Sequence, residues 1–152
     1  AVSNSTRGCF MAGFAPSNTN HIDFITIASL GDATDFGDTL GNYQAQGRAM
    51  SPTRGLAAGN YGASNLIEFI TIATTGNATD FGDLIQTNYT IQGCSASHIR
   101  GMWNGGYNSG YLNTIQYVTF ATTGNAVDWG DMKNKRGGYL GTTSDCHGGL
   151  SE

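Results

Sequence analysis

An eight-residue string occurs three times in the chain: Gly31-Asp32-Ala33-Thr34-Asp35-Phe36-Gly37-Asp38, Gly76-Asn77-Ala78-Thr79-Asp80-Phe81-Gly82-Asp83 and Gly124-Asn125-Ala126-Val127-Asp128-Trp129-Gly130-Asp131. A chain that repeats at this period is a stack of like units, each too small to bury its own apolar face. Within the string, the Gly-Asn or Gly-Asp pair suits a tight hairpin turn with positive φ. The Ala-x-Asp-aromatic-Gly-Asp that follows reads as a short strand with one large apolar anchor. Each copy is expected at the corner of a small β unit.

Arg-Gly pairs at Arg7, Arg54 and Arg100 set the register, at intervals of about 47 residues. A degenerate fourth mark stands at Gly148-Gly149, where Ser144-Asp145-Cys146-His147 lines up with Ser3-Asn4-Ser5-Thr6. The 152 residues therefore read as one repeat domain, with repeats 7–53, 54–99 and 100–147 and the start of a fourth at 148–152. Each repeat opens with a short apolar segment that runs into glycine and closes on an aromatic, Phe14, Tyr61 or Tyr107. A variable turn-rich loop follows, at 15–20, 62–65 and 108–113, and its changing length marks it as surface.

The clearest strand comes next: Ile22-Asp23-Phe24-Ile25-Thr26-Ile27-Ala28, Ile67-Glu68-Phe69-Ile70-Thr71-Ile72-Ala73 and Ile115-Gln116-Tyr117-Val118-Thr119-Phe120-Ala121. By the two-residue period both faces of this strand carry apolar groups, which predicts a sheet packed on both sides. After the repeated string come polar stretches at 39–47, 84–93 and 132–141 that differ most between copies. About four short strands fit in each unit, so the fold class is all-β. Units of this size match the blades of a β-propeller, and a β-trefoil is the alternative because it closes with three four-stranded repeats.

Glycine, at 23 residues, fits many tight turns, and only 12 % of residues are charged. A net charge of −4 with seven Lys and Arg supplies no basic face, so nucleic acid is not an expected partner. Lys133, Lys135 and Arg136 cluster in one repeat only and read as a solvated stretch. No apolar run is long enough for a membrane helix, and neither a signal peptide ahead of the repeats nor a membrane partner is expected. Cys9, Cys94 and Cys146 occupy non-equivalent positions and are expected as reduced thiols packed like small apolar residues. Asn4, Asn77 and Asn88 head Asn-x-Ser/Thr triplets, which turn-rich composition produces without glycosylation.

The order Gly105-Gly106, Ile115-Gln116-Tyr117 and Trp129, with weaker equivalents in the other copies, resembles the kelch repeat. Beyond it, Gly-Asn-Ala-Thr-Asp-Phe-Gly-Asp-Leu at 76–84, preceded by Ile-Glu-Phe-Ile-Thr-Ile-Ala-Thr-Thr, is similar to a repeat of virion structural proteins of marine tailed phages. That resemblance implies a virion or extracellular location, and other virion proteins or a host surface glycan or protein as partners. Three blades do not close a propeller, so self-association is expected to complete one.

Enzyme constellations are missing from the sequence. His21, His98 and His147 stand at different repeat offsets, and no Ser-His-Asp set or phosphate loop is marked. The copper site of kelch-like oxidases has no counterpart here, and no cofactor is expected. The repeated carboxylates, Asp35 and Asp38, Asp80 and Asp83, Asp128 and Asp131, have the oxygen chemistry of a calcium site. Short Asp side chains beside glycine more commonly accept turn amides, and that role is expected. Arg7, Arg54 and Arg100 are expected to pair with the Asp of a neighbouring blade. Tyr43, Tyr89, Trp103, Tyr107, Tyr111 and Tyr139 are the candidate contacts for sugar rings or protein surfaces, since each joins an apolar face to a polar tip. The sequence thus predicts a non-enzymatic virion structural or host-attachment protein that presents variable loops. The alternatives are a secreted carbohydrate-binding lectin of trefoil type and, more remotely, a glycan-active propeller enzyme.

Overall fold

The structure, a computed structural model, describes residues 1–14, 16–44, 46–89 and 93–137. Strands β1 (Val2–Ser3), β2 (Arg7–Phe14), β3 (Asn18–Thr26) and β4 (Thr34–Tyr43) form one antiparallel sheet in chain order. The second sheet holds β5 (Gly47–Met50), β6 (Arg54–Ala58), β7 (Ser64–Thr71) and β8 (Thr79–Asn88). The third holds β9 (Gly93–Ala96), β10 (Arg100–Asn104), β11 (Leu112–Thr119) and β12 (Val127–Arg136). No helix occurs among the described residues, so none is long and apolar enough to cross a membrane.

These are three separate four-stranded meanders of the kind expected for blades. They are not hairpins shared in a common barrel, so the trefoil alternative is set aside. The inner strand of each sheet is the segment just before the Arg-Gly mark, which therefore opens the second strand. A polar side chain folds the turn between the two: the amide of Arg7 donates to Asn4 Oδ1 at 2.8 Å, Arg54 to Ser51 Oγ at 3.0 Å and Arg100 to Ser97 Oγ at 3.1 Å.

The middle sheet is packed on both faces, as the two-sided pattern of β7 requires. Ala57, Ile70, Ile72 and Ala78 pack against Val2, Cys9, Met11, Ile22 and Phe36 of the first sheet. Leu56, Ala58, Ile67, Phe81 and Leu84 pack against Cys94, Trp103, Val118 and Phe120 of the third. Two seams result, each an apolar layer between neighbouring sheets. Cys9 and Cys94 are buried free thiols within them, and burial pushes the Cys94 thiol up to about 12, which leaves it unreactive. Cys146, His147 and the fourth-repeat start at 148–152 lie outside the described residues.

The repeated string ties the seams together, by a geometry different from the expected hairpin corner. The turn itself is at Thr71–Thr74, where Thr74 N–H donates to Thr71 O at 3.1 Å. Gly76, Asn77 and Ala78 lie beyond it, alongside the outer strand of the preceding sheet. Gly76 N–H donates to Phe36 O and Ala78 N–H to Asp38 O, both at 2.7 Å, while Asn77 Oδ1 accepts Asp38 N–H at 3.0 Å. The next seam repeats this clasp: Gly124 and Ala126 donate to Phe81 O and Asp83 O at 2.7 Å, and Asn125 Oδ1 accepts Asp83 N–H at 3.0 Å. Gly37 and Gly82 stand where these backbones meet. A Cβ on Gly37 would lie 2.6 Å from the Gly76 carbonyl, and both glycines hold φ near +144° (143° and 144°).

The first Asp of each pair turns inward on its own bulge, as expected for a turn-amide acceptor. Asp35, Asp80 and Asp128 accept the amides of Gly37, Gly82 and Gly130 at 3.1, 2.9 and 2.9 Å. Those carboxylates do not take the arginines, and the expected Arg–Asp pairing is corrected. Each guanidinium instead lies over an aromatic ring of its own sheet, Arg7 over Phe24, Arg54 over Phe69 and Arg100 over Tyr117, at 4.6 to 4.8 Å. The pairing is still between sheets, but the acceptor is a backbone carbonyl. Arg7 Nη1 donates to Ile72 O at 3.1 Å, and Arg54 Nη1 donates to Phe120 O. A strand end whose carbonyl lacks a ladder partner is a better acceptor for a stacked, planar donor than a carboxylate already bound to its own turn.

Candidate functional site

Three of the expected contact tyrosines come together at the seam between the second and third sheets. Tyr89 and Tyr107 meet edge to face with ring centroids 6.1 Å apart, and Tyr107 and Tyr111 likewise at 5.6 Å. All three rings are exposed. They are brought there by the end of β8, the segment after β10 and the variable loop before β11.

The backbone beneath the cluster is fixed by one buried amide. Asn88, fully buried, donates from Nδ2 to Gly105 O at 3.0 Å and accepts Tyr107 N–H at Oδ1, also at 3.0 Å. Tyr89 N–H then donates to Tyr107 O at 2.8 Å, and Gly106 N–H to Arg136 O at 2.9 Å. Gly106, at φ +112°, lies so close to the Asn88 amide that any Cβ would overlap it. Asn108 Nδ2 adds a bond to Thr87 Oγ1 at 3.2 Å on the surface. The result is a rigid row of exposed rings rimmed by amide and hydroxyl groups, which suits stacking on a sugar ring or burial under a protein side chain.

The other candidates are placed differently. Trp103 is wholly buried in the seam, its Nε1 donating to Gly47 O at 3.2 Å, so its expected contact role is corrected to a core role. Its apolar neighbours, Ala49, Leu56 and Phe81, leave no face for a partner. Tyr43 is half-buried in the other seam, and burial first, then the Glu68 carboxylate, pushes its hydroxyl up. Tyr139 lies outside the described residues. Tyr61, exposed and not singled out from the sequence, occupies the Tyr107 position of the first seam and donates its amide to Gln44 O at 3.2 Å. The repeat register itself contained that signal, since Tyr61 and Tyr107 close the same segment. Asn88 was legible only as a triplet head, and nothing local marked it as the anchor.

Ionisable groups elsewhere serve the seams. Glu68 is fully buried, accepting Leu40 N–H at 2.8 Å and Gln46 Nε2 at 3.0 Å; burial raises its pKa against the opposing effect of those bonds and of Arg48. Arg48 donates across the seam to Met11 O. His21 lies 3.5 Å from Asp38 in an exposed pair that contributes little. His98 lines an open hollow of about 420 Å³ with Ser51, Arg54 and Phe120, at the other end of β10 from the tyrosines. Among the described residues, no three His, Cys, Asp or Glu side chains are grouped to hold a metal.

Comparison of the chain with family models and with curated proteins finds no match to either. The functional reading is therefore built on the site and the repeat.

Proposed function

We propose that the chain is a non-enzymatic virion component, a structural or host-attachment module that offers its tyrosine row to a surface glycan or protein. The observation that carries this reading is the Tyr89–Tyr107–Tyr111 cluster, exposed yet held by the buried Asn88. Two of its rings, Tyr89 and Tyr111, come from segments that vary between repeats, while Tyr107 and the sheets beneath follow the shared pattern. Variation is thus concentrated where contact is made. The phage character rests on the resemblance of the 76–84 string, and the kelch-like blade arrangement supplies the scaffold. A closed propeller belongs to the same proposal.

Binding of the purified, fluorescently labelled chain to host cells and to a glycan array tests it. Tyr107→Ala and Tyr111→Ala together are expected to lower binding by about tenfold or more, as loss of paired aromatic contacts does, with an unchanged melting temperature. Full binding by the double variant would reject the tyrosine row as the contact surface. Turnover of any polysaccharide, abolished by one carboxylate substitution, would replace the reading by an enzymatic one.

A further inference from the structure

Several apolar positions that are covered between neighbouring sheets have an exposed counterpart on the first or the third sheet. The face of a sheet that meets the preceding sheet is buried in the second and third: Ile72 and Phe120 are 0 % and 3 % exposed, and Ala57 and Trp103 are both 0 %. In the first sheet the same register positions are Ile27 and Phe10, which are 53 % and 48 % exposed. The face that meets the following sheet behaves likewise at the other end. Phe36 and Phe81 are 3 % and 2 % exposed, whereas Trp129, at their position, is 52 % exposed.

The polar groups of the clasp are split in the same way. Gly31 and Ala33 carry the amides that correspond to the donors Gly76 and Ala78, and Trp129 and Asp131 carry the carbonyls that correspond to the acceptors Phe36 and Asp38. Among the described residues these four make no such bond. Asp32 stands where Asn77 and Asn125 accept, and its carboxylate accepts an amide at least as well. Asp23, exposed, stands where Glu68 and Gln116 accept the amides of Leu40 and Ile85; the matching amide at the far end belongs to Lys133. Arg100 lies over Tyr117 and Trp129, as its counterparts lie over their own rings, and its counterpart acceptor is the Ile27 carbonyl.

We propose that these two faces are the halves of a third seam, completed between two copies of this chain. The first sheet of one copy packs on the third sheet of the other. Gly31 and Ala33 amides bond the Trp129 and Asp131 carbonyls, Phe10 and Ile27 cover Trp129 and Tyr117, and Arg100 reaches the Ile27 carbonyl. The occupant is a second copy because the clasp donors Gly31 and Ala33 and the apolar Phe10 and Ile27 on one face have their complements, in register, in Trp129, Asp131 and Tyr117 on the other. Charge at the seam is mixed: Asp23 stands at Lys133, whereas Asp32 stands beside Asp131, so the clasp and the apolar groups carry the match. Such a contact is heterologous, and two copies joined at both ends give six sheets, within the range of closed propellers.

The seam is independent of the attachment reading, since the mass of the purified chain reads association alone and host binding plays no part in it. Sedimentation or light scattering on the full chain is expected to give twice the 15.9 kDa of one copy. Ile27→Asp, at a position exposed in the single chain, is expected to leave a folded monomer and to weaken association at least about a hundredfold, because the seam would bury an unpaired carboxylate. Leu30→Asp is the control: Leu30 is exposed, and so are its counterparts Thr75 and Thr123 beside covered seams, so it is expected to associate normally. A single-chain mass at every concentration up to about 100 µM, or an oligomer that Ile27→Asp leaves intact, overturns the proposal. A larger oligomer dissolved by Ile27→Asp but not by Leu30→Asp would uphold the seam and overturn the six-sheet ring.

Discussion

The two seams share one clasp and differ in what fills them. Between the first and second sheets the buried acceptor of the outer-strand amide is a carboxylate, Glu68; between the second and third it is a neutral amide, Gln116, which accepts Ile85 N–H at 2.9 Å. The apolar filling differs too. At the position of Trp103 in the second seam the first has only Ala57, and Met11 and Val2 take up the volume instead. Backbone geometry is thus the repeated quantity, and side chains on either side are exchanged as long as volume and hydrogen bonding balance. The tyrosine row exists in one seam for the same reason: three rings meet at the second, while the first shows an exposed Tyr61 and a half-buried Tyr43.

The largest expected effect follows from the filling. Trp103→Ala removes the biggest buried side chain of the second seam and should cost about 3–5 kcal/mol in a denaturant titration. Exchange of the acceptors comes next. Gln116→Glu should destabilise by about 1–3 kcal/mol at neutral pH and by less in acid, where the protonated group still accepts the Ile85 amide. The reverse change, Glu68→Gln, should be neutral or stabilising by on the order of 1 kcal/mol, because Gln46 Oε1 has no partner and can turn to accept the new amide. The native Glu68 carboxyl keeps its proton to higher pH than the unfolded one. Its contribution is therefore fully present below its ordinary value of 4.5 and is lost as pH rises through the raised native value. Melting curves against pH should lose that slope in Glu68→Gln.

Smaller effects compare the clasps directly. Asn77→Ala and Asn125→Ala each remove one amide acceptor and should cost about 1 kcal/mol apiece; unequal costs would show that the clasps are not equivalent. His21→Ala lies outside both seams and should change stability by less than about 0.5 kcal/mol.

Much of this was written in the sequence at the level of periods. The two-residue alternation of Ile67 to Ile72 announced a sheet covered on both sides, and the spacing of the Arg-Gly pairs announced three units. The role of the repeated string was less legible. Gly-Asn is chemically a turn signal, and only the position of the neighbouring sheet makes Gly76–Ala78 a clasp, because its hydrogen-bond partners are about 40 residues away in sequence. Arg54 carries the same lesson, since a charge suggests a countercharge, whereas its partner is a carbonyl that no sequence motif can mark. Trp103 and Tyr107 stand four positions apart and look alike as contact residues, yet β10 turns the first into the seam and releases the second to the surface.

Amide hydrogen exchange tests most directly that sheet-to-sheet clasping organises the molecule. The amides of Gly76, Ala78, Gly124 and Ala126 donate across seams and should exchange slowly at every protein concentration. Those of Gly31 and Ala33, at the same positions of the repeated string, should exchange rapidly in dilute solution and become protected as copies associate. Rapid exchange at Gly76, Ala78, Gly124 and Ala126, as fast as at Gly31 and Ala33 in the dilute protein, would contradict the clasp.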